Sequence, residues 1–134
     1  DVRSPVGATG LMQLMPATAR ETAREAGLRF SIQDLVTPAT NLTLGSHYLA
    51  KMLRDFDGNR ILAAAAYNAG PNRVRQWLSQ QRQDQPVDIW IETLPFSETR
   101  GYVQNVLAYT VIYAYRQGEQ RPLLQDGEQI IRGR

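Results

Sequence analysis

No cysteine occurs in this chain, and only one histidine, His47. Disulfides, thiolate nucleophiles and thiolate metal centres are thereby excluded. A single imidazole cannot furnish a multi-histidine metal site, and it leaves no spare base for a Ser-His-Asp triad. Long apolar runs are missing too. The longest, around Ile61 to Ala66, is far too short to span a membrane. Charge of one sign is not in large excess: the net charge is +2 and the pI is 9.2. No helix carries a dense face of arginine or lysine, and Arg73 with Arg75 is a thin basis for nucleic-acid binding. No signal peptide is recognisable. The chain opens at Asp1 without methionine, as a processed or truncated product does, so that absence says nothing about location.

Helix signals dominate what is present. Pro16 sits where a first helical turn tolerates proline, and the helix can run to Gly27. Ser31 to Asp34 can cap a short helical turn. Thr37-Pro38 starts the next helix, with an apolar stripe of Leu42, Leu49, Met52, Leu53 and Phe56, and Gly58 ends it. Asn59 caps a third helix, Arg60 to Ala69, rich in alanine and so expected to have close neighbours. Gly70-Pro71 breaks that helix and starts another, carrying Val74, Trp77 and Leu78.

The stretch from Ser79 to Val87 reads as a polar loop, and Asp88 to Thr93 as a short helical turn. Ser97 caps a long helix through Tyr102, Val106 and Tyr113, stopped by Gly118. The tail, 119–134, is polar and expected to lie extended over the surface. Nothing alternates with a period of two between hairpin turns. The expected fold is all-α, one domain of five to seven helices around one core.

Chemistry without a cofactor needs a proton donor, a base or a nucleophile, which here means carboxylates. Glu21, Glu25, Asp55, Asp57, Glu119 and Glu128 stand in polar surroundings and read as solvated. Glu92 differs, lying between Ile89-Trp90-Ile91 and Leu94-Pro95-Phe96. It is either partly buried and paired, with Arg100 as candidate partner, or it lines a cleft. Glu98 falls in the first turn of the last helix, where a negative charge suits the helix dipole.

Two glycine-bearing stretches are unusual. Ser4 to Gln13 places two glycines ahead of Met12-Gln13, at a spacing that fails as a phosphate loop. Ala66 to Pro71 ends a helix on Tyr67 and Asn68. One reading of the second is an ordinary helix stop. The other is a close approach for a polymer, with a phenol to stack on a sugar and amides to bond its hydroxyl and acetamido groups.

Three blocks, SPVGATGLMQLMPATA (Ser4 to Ala19), AAYNAGPNRVRQWL (Ala65 to Leu78) and ETLPFSETRGYVQNVLAY (Glu92 to Tyr109), together resemble the catalytic domain of soluble lytic transglycosylases. The resemblance covers nearly the whole chain and is weakest after Gly118. It implies an all-α, lysozyme-like domain related to goose-type lysozyme. It implies cleavage of the β-1,4 link between N-acetylmuramic acid and N-acetylglucosamine in peptidoglycan. A single glutamic acid protonates the leaving oxygen, and the muramic acid's own 6-hydroxyl then closes a 1,6-anhydro ring.

By position, the resemblance assigns substrate contacts to Met12, Gln13, Tyr67, Asn68, Glu92 and Tyr102. It implies no metal or organic cofactor, peptidoglycan glycan strands as partner, and a periplasmic place of work. The family's Glu-Ser pair lies several residues before the Ser-Pro-Val-Gly block, where this sequence has only Asp1-Val2-Arg3. The catalytic glutamate is therefore expected upstream of Asp1, and these 134 residues alone are expected to be inactive or nearly so. Two other readings stay open: a lysozyme-type hydrolase that activates water, and a glycan-binding module without chemistry.

Overall fold

The computed structural model describes residues 14–116, 118, 124–125 and 127–133, with the side chains of 109–116 left out. Backbone contacts divide the chain into two compact units, Asp1–Lys51 and Met52–Arg134. Helices make up nearly all the regular structure, as the all-α expectation requires.

In the first unit, helix α1 spans Pro16–Glu25 and buries Ala19, Thr22 and Ala23. A 3₁₀ helix follows over Ile32–Val36. A capping box holds it: the Ser31 N–H and hydroxyl both donate to Asp34 Oδ2, at 3.0 and 3.1 Å. Helix α2, Pro38–Asp55, starts in this unit. Its inward positions here are Asn41 and Leu44, while Leu42, expected in the apolar stripe, is 53% exposed. The reason is a hydrogen bond. Asn41 Nδ2 donates to the Leu35 carbonyl at 3.0 Å, so the amide takes the buried position and rotates its neighbour outward.

The second unit holds the last turn of α2, with Met52 and Phe56 buried, and four further helices: α3 (Arg60–Ala69), α4 (Pro71–Gln80), α5 (Val87–Glu92) and α6 (Ser97–Arg116). Asp57 and Gly58 adopt φ of 58° and 77°, turning the chain sharply from α2 to α3. The Asn59 side chain then accepts from the N–H groups of Ile61 and Leu62, as an N-cap should.

Helix α3 is the centre of this unit. Residues 61–66 are all buried, four of them alanines, and the helix packs against both α4 and α6. Small side chains let the neighbouring helices approach closely. Gly70, at φ 98°, ends α3 and precedes α4, in a backbone conformation that favours glycine.

The expected loop from Ser79 is shorter than the sequence reading has it. α4 continues to Gln80, and two-residue strand β1 (Gln85–Pro86) follows. β1 pairs antiparallel with β2 (Ile130–Ile131), Gln85 opposite Ile131.

The described part of the tail therefore departs from expectation. Two of its residues are buried, Ile131 at 1% exposed and Glu128 at 2%, while Gln125, Gln129, Ile130 and Arg132 are exposed. Glu128, read from the sequence as solvated, instead accepts four hydrogen bonds. Arg60 donates from its backbone N–H (2.9 Å), Nε (2.9 Å) and Nη2 (2.8 Å), and the Gln125 N–H donates at 2.7 Å. A polar sequence neighbourhood conceals this because the partner lies 68 positions away.

Candidate active site

The end of α3 and the start of α6 bring the tyrosine–amide pair into a defined setting. The Tyr67 and Tyr102 rings stack with centroids 6.3 Å apart and planes 8° from parallel. Thr99 Oγ donates to Asn68 Oδ1 at 2.7 Å. Thr99 is 1% exposed, whereas Tyr67, Asn68 and Tyr102 are half-buried. Asn68 thus does more than stop a helix: its carbonyl oxygen is committed to a buried hydroxyl. Burial raises the Tyr102 phenol above its ordinary pKa and keeps it neutral as a hydrogen-bonding group.

Successive residues of a helix advance by about 100°, which decides what else can join this cluster. On α6 the buried stripe is Thr99, Val103 and Leu107. Tyr102 lies on one flank of that stripe. Arg100 and Gln104 lie on the other, since Gln104 is about 200° round the helix from Tyr102. Glu92 is held on this second flank. Arg100 Nη1 donates to its backbone carbonyl at 3.1 Å, and Gln104 Nε2 approaches its carboxylate at 3.4 Å. Glu92 is exposed. Arg100 does reach it, as one sequence reading foresees, but through the main chain; no Arg100–Glu92 ion pair forms among the described residues.

Of the six sequence-derived site residues, then, Tyr67, Asn68 and Tyr102 come together, and Glu92 stands apart across α6. Met12 and Gln13 lie outside the described residues. The carboxylate on the tyrosine flank is Glu98, exposed and one turn ahead of Tyr102. From the sequence Glu98 is expected only to complement the helix dipole, and Thr99 carries no expectation. The signal for Glu98 is in the sequence, because 98 to 102 is a four-residue step along a helix, whereas Thr99 depends on a partner 31 positions away.

Phe96 fixes the approach to α6. Its ring meets Trp77 edge-on at 5.7 Å, and the Arg73 guanidinium sits 4.7 Å from its centroid. Both partners belong to α4. The loop that leads into α6 is therefore tied to the helix that follows Asn68. The assembled surface offers two phenols and one amide, with one carboxylate at its edge. Such groups stack on and hydrogen-bond to neutral, hydroxyl-rich ligands. Among the described residues no group of three or more acidic or histidine side chains could hold a metal ion. No described helix is long and apolar enough to cross a membrane.

A helical domain with this arrangement is of the lysozyme-like class that soluble lytic transglycosylases share. The chain belongs to the family described as the transglycosylase SLT domain, whose profile matches residues 1–89. A second profile, the soluble lytic transglycosylase helical domain, matches residues 93–122. The soluble lytic murein transglycosylase of Salmonella typhimurium is 47% identical over 133 residues, covering 95% of this chain and 20% of that protein.

Among solved structures, an inactive glutamate-to-glutamine mutant of the lytic transglycosylase Slt from Pseudomonas aeruginosa is 53% identical with a TM-score of 0.88, covering 98% of this chain and 22% of that one. The 70 kDa soluble lytic transglycosylase of Escherichia coli is 46% identical with a TM-score of 0.86, covering 96% and 21%. The chain spans about a fifth of the length of the curated relatives it matches.

Proposed function

We propose that this domain carries out lytic cleavage of peptidoglycan: scission of the β-1,4 bond from N-acetylmuramic acid to N-acetylglucosamine with formation of a 1,6-anhydro end. The observation that carries the reading is the Tyr67–Tyr102 stack beside the Asn68–Thr99 bond, in a chain of the SLT family. A parallel aromatic pair and a positioned amide suit an N-acetylated sugar better than a phosphate or a peptide backbone.

In the proposed step one glutamic acid donates its proton to the glycosidic oxygen as the bond to the anomeric carbon breaks. The same carboxylate then takes the proton of the muramic acid's 6-hydroxyl. That oxygen bonds to the anomeric carbon, so no water enters the product. The acid must hold its proton near neutrality, which a desolvating cleft wall favours. By resemblance to the family, this glutamate belongs to a Glu-Ser pair that precedes the Ser-Pro-Val-Gly block. The solved relative rendered inactive by a glutamate-to-glutamine change supports a requirement for one such residue in that protein. Because the substrate lies outside the cytoplasm, the proposed place of work is the periplasm.

Purified peptidoglycan digests, separated and weighed by mass spectrometry, test this. The 134 residues alone are expected to release almost no anhydro-muropeptides. A chain extended at Asp1 by a helix ending in a Glu-Ser pair is expected to release them, and its Tyr67→Ala variant much less. Reducing ends instead of anhydro ends would assign hydrolysis. Binding without any cleavage by the extended chain would assign a glycan-binding module.

A further inference from the structure

Both tryptophans of the chain, Trp77 and Trp90, line one surface cavity of about 210 Å³ between α4, β1 and α5. It shares no residue with the Tyr67–Asn68–Tyr102 cluster. Its polar lining comes from Gln80, Gln81, Gln85 and Thr93, and no charged side chain contributes. The volume is below the roughly 300–1,000 Å³ of drug-sized pockets, a size for one ring and not for a chain.

Two features distinguish this cavity from a fold in the surface. First, Trp90 is only 3% exposed, and its indole N–H makes no hydrogen bond among the described residues. No buried side-chain nitrogen lacks a partner, so that N–H is not sealed from solvent, and Trp90 is one of the residues that line the cavity. Second, the amides divide their work. Gln81 Nε2 is pinned by the carbonyls of Ile131 (2.7 Å) and Gln83 (2.8 Å), which fixes one wall. The side-chain amides of Gln80 and Gln85 have no hydrogen-bonding partner among the described residues. An indole donor, two uncommitted amides and a half-buried indole face thus surround an uncharged space. Charged ligands find no counter-ion there, and a purely apolar ligand would strand the polar groups.

We propose that this cavity is a second carbohydrate subsite, taking one N-acetylated hexosamine of a glycan strand. The ring's C–H face packs on Trp77, and its acetamido and hydroxyl groups bond Gln80, Gln85 and the Trp90 N–H. The choice of a glycan as occupant rests on the function proposed above; the location of the subsite rests on the lining alone. Its role is to hold strand at a distance from the bond being cut, so it adds to affinity and does not touch the reacting atoms.

The test uses chitotetraose and the 134-residue chain. Because no other tryptophan exists, intrinsic fluorescence and the two indole N–H resonances report on this cavity. Saturable changes in both are expected. Gln80→Ala with Gln85→Ala, which removes no internal bond and so preserves the fold, is expected to weaken that binding by about tenfold. Tyr67→Ala is expected to leave the indole response in place. Silent indole resonances at millimolar sugar would overturn the proposal. So would a response abolished by Tyr67→Ala but unmoved by the glutamine substitutions. Neither result bears on anhydro-product release, so the subsite and the catalytic reading fail separately.

Discussion

Replacing Glu128 by alanine removes the acceptor of four hydrogen bonds, three from Arg60 and one from the Gln125 N–H. The carboxylate side chain is 3% exposed and the guanidinium 24%. Losing one partner of a buried pair costs roughly 3–5 kcal/mol, because the other charge is left without compensation. Arg60 can recover some hydration, so the lower end, about 3 kcal/mol, is expected. For a domain of this length that is a fall of roughly 10 °C in Tm.

The pH dependence follows from the same contacts. Burial alone would raise the Glu128 pKa, but the hydrogen bonds from Arg60 and the Gln125 N–H, with the charge of Arg60, outweigh it and hold the carboxyl below its ordinary value. A depressed carboxyl contributes stability that is complete above its unfolded pKa, about 4.3, and is lost as pH falls through the folded value. Urea unfolding of the parent and Glu128→Ala chains should therefore show the full difference at pH 7 and a narrowing gap below about pH 4. A difference under about 1 kcal/mol at pH 7, the value of a surface ion pair, would refute the reasoning. So would a gap that does not change with pH.

Asn68→Ala should cost about 1–3 kcal/mol by leaving the buried Thr99 hydroxyl without its acceptor. In a double-mutant cycle with Thr99→Val the two losses should be strongly non-additive; strict additivity would mean the bond carries no weight. Ala65→Leu, at a position 0% exposed on α3, should destabilise by about 1–3 kcal/mol or more, since the helix has close neighbours on two sides. Thermal melts check it, and an unchanged Tm would show that α3 has space beside it.

Helix boundaries were largely legible because proline, asparagine and glycine act locally. Pro16, Pro38, Asn59, Gly70-Pro71 and Ser97 mark the starts of five helices within a residue of where they fall. What pattern reading missed depends on partners distant in sequence. Leu42 looked buried on spacing alone, and only the Asn41–Leu35 hydrogen bond turns it outward. Glu128 looked solvated because its neighbours are polar, yet its partner Arg60 is far back along the chain. The candidate site divides in the same way. Tyr67, Asn68 and Tyr102 were named from the sequence blocks, but Thr99 became visible only once α3 and α6 lay side by side. Glu92 stands out in the sequence for its apolar neighbours; Trp90, Ile91 and Leu94 are buried, whereas Glu92 is exposed, as are Ile89 and Phe96.

The Arg60–Glu128 clasp also sets an order of events during synthesis. The first turn of α3 receives its anchoring carboxylate, and β1 its pairing strand, only after residues up to Ile131 have left the ribosome. At ordinary elongation rates that is on the order of ten seconds after Arg60 itself is made. In that interval α3 can pair with α4 and later α6, but its start has no clasp. The start of α3 and strand β1 are therefore parts of the second unit that are secured late in its synthesis.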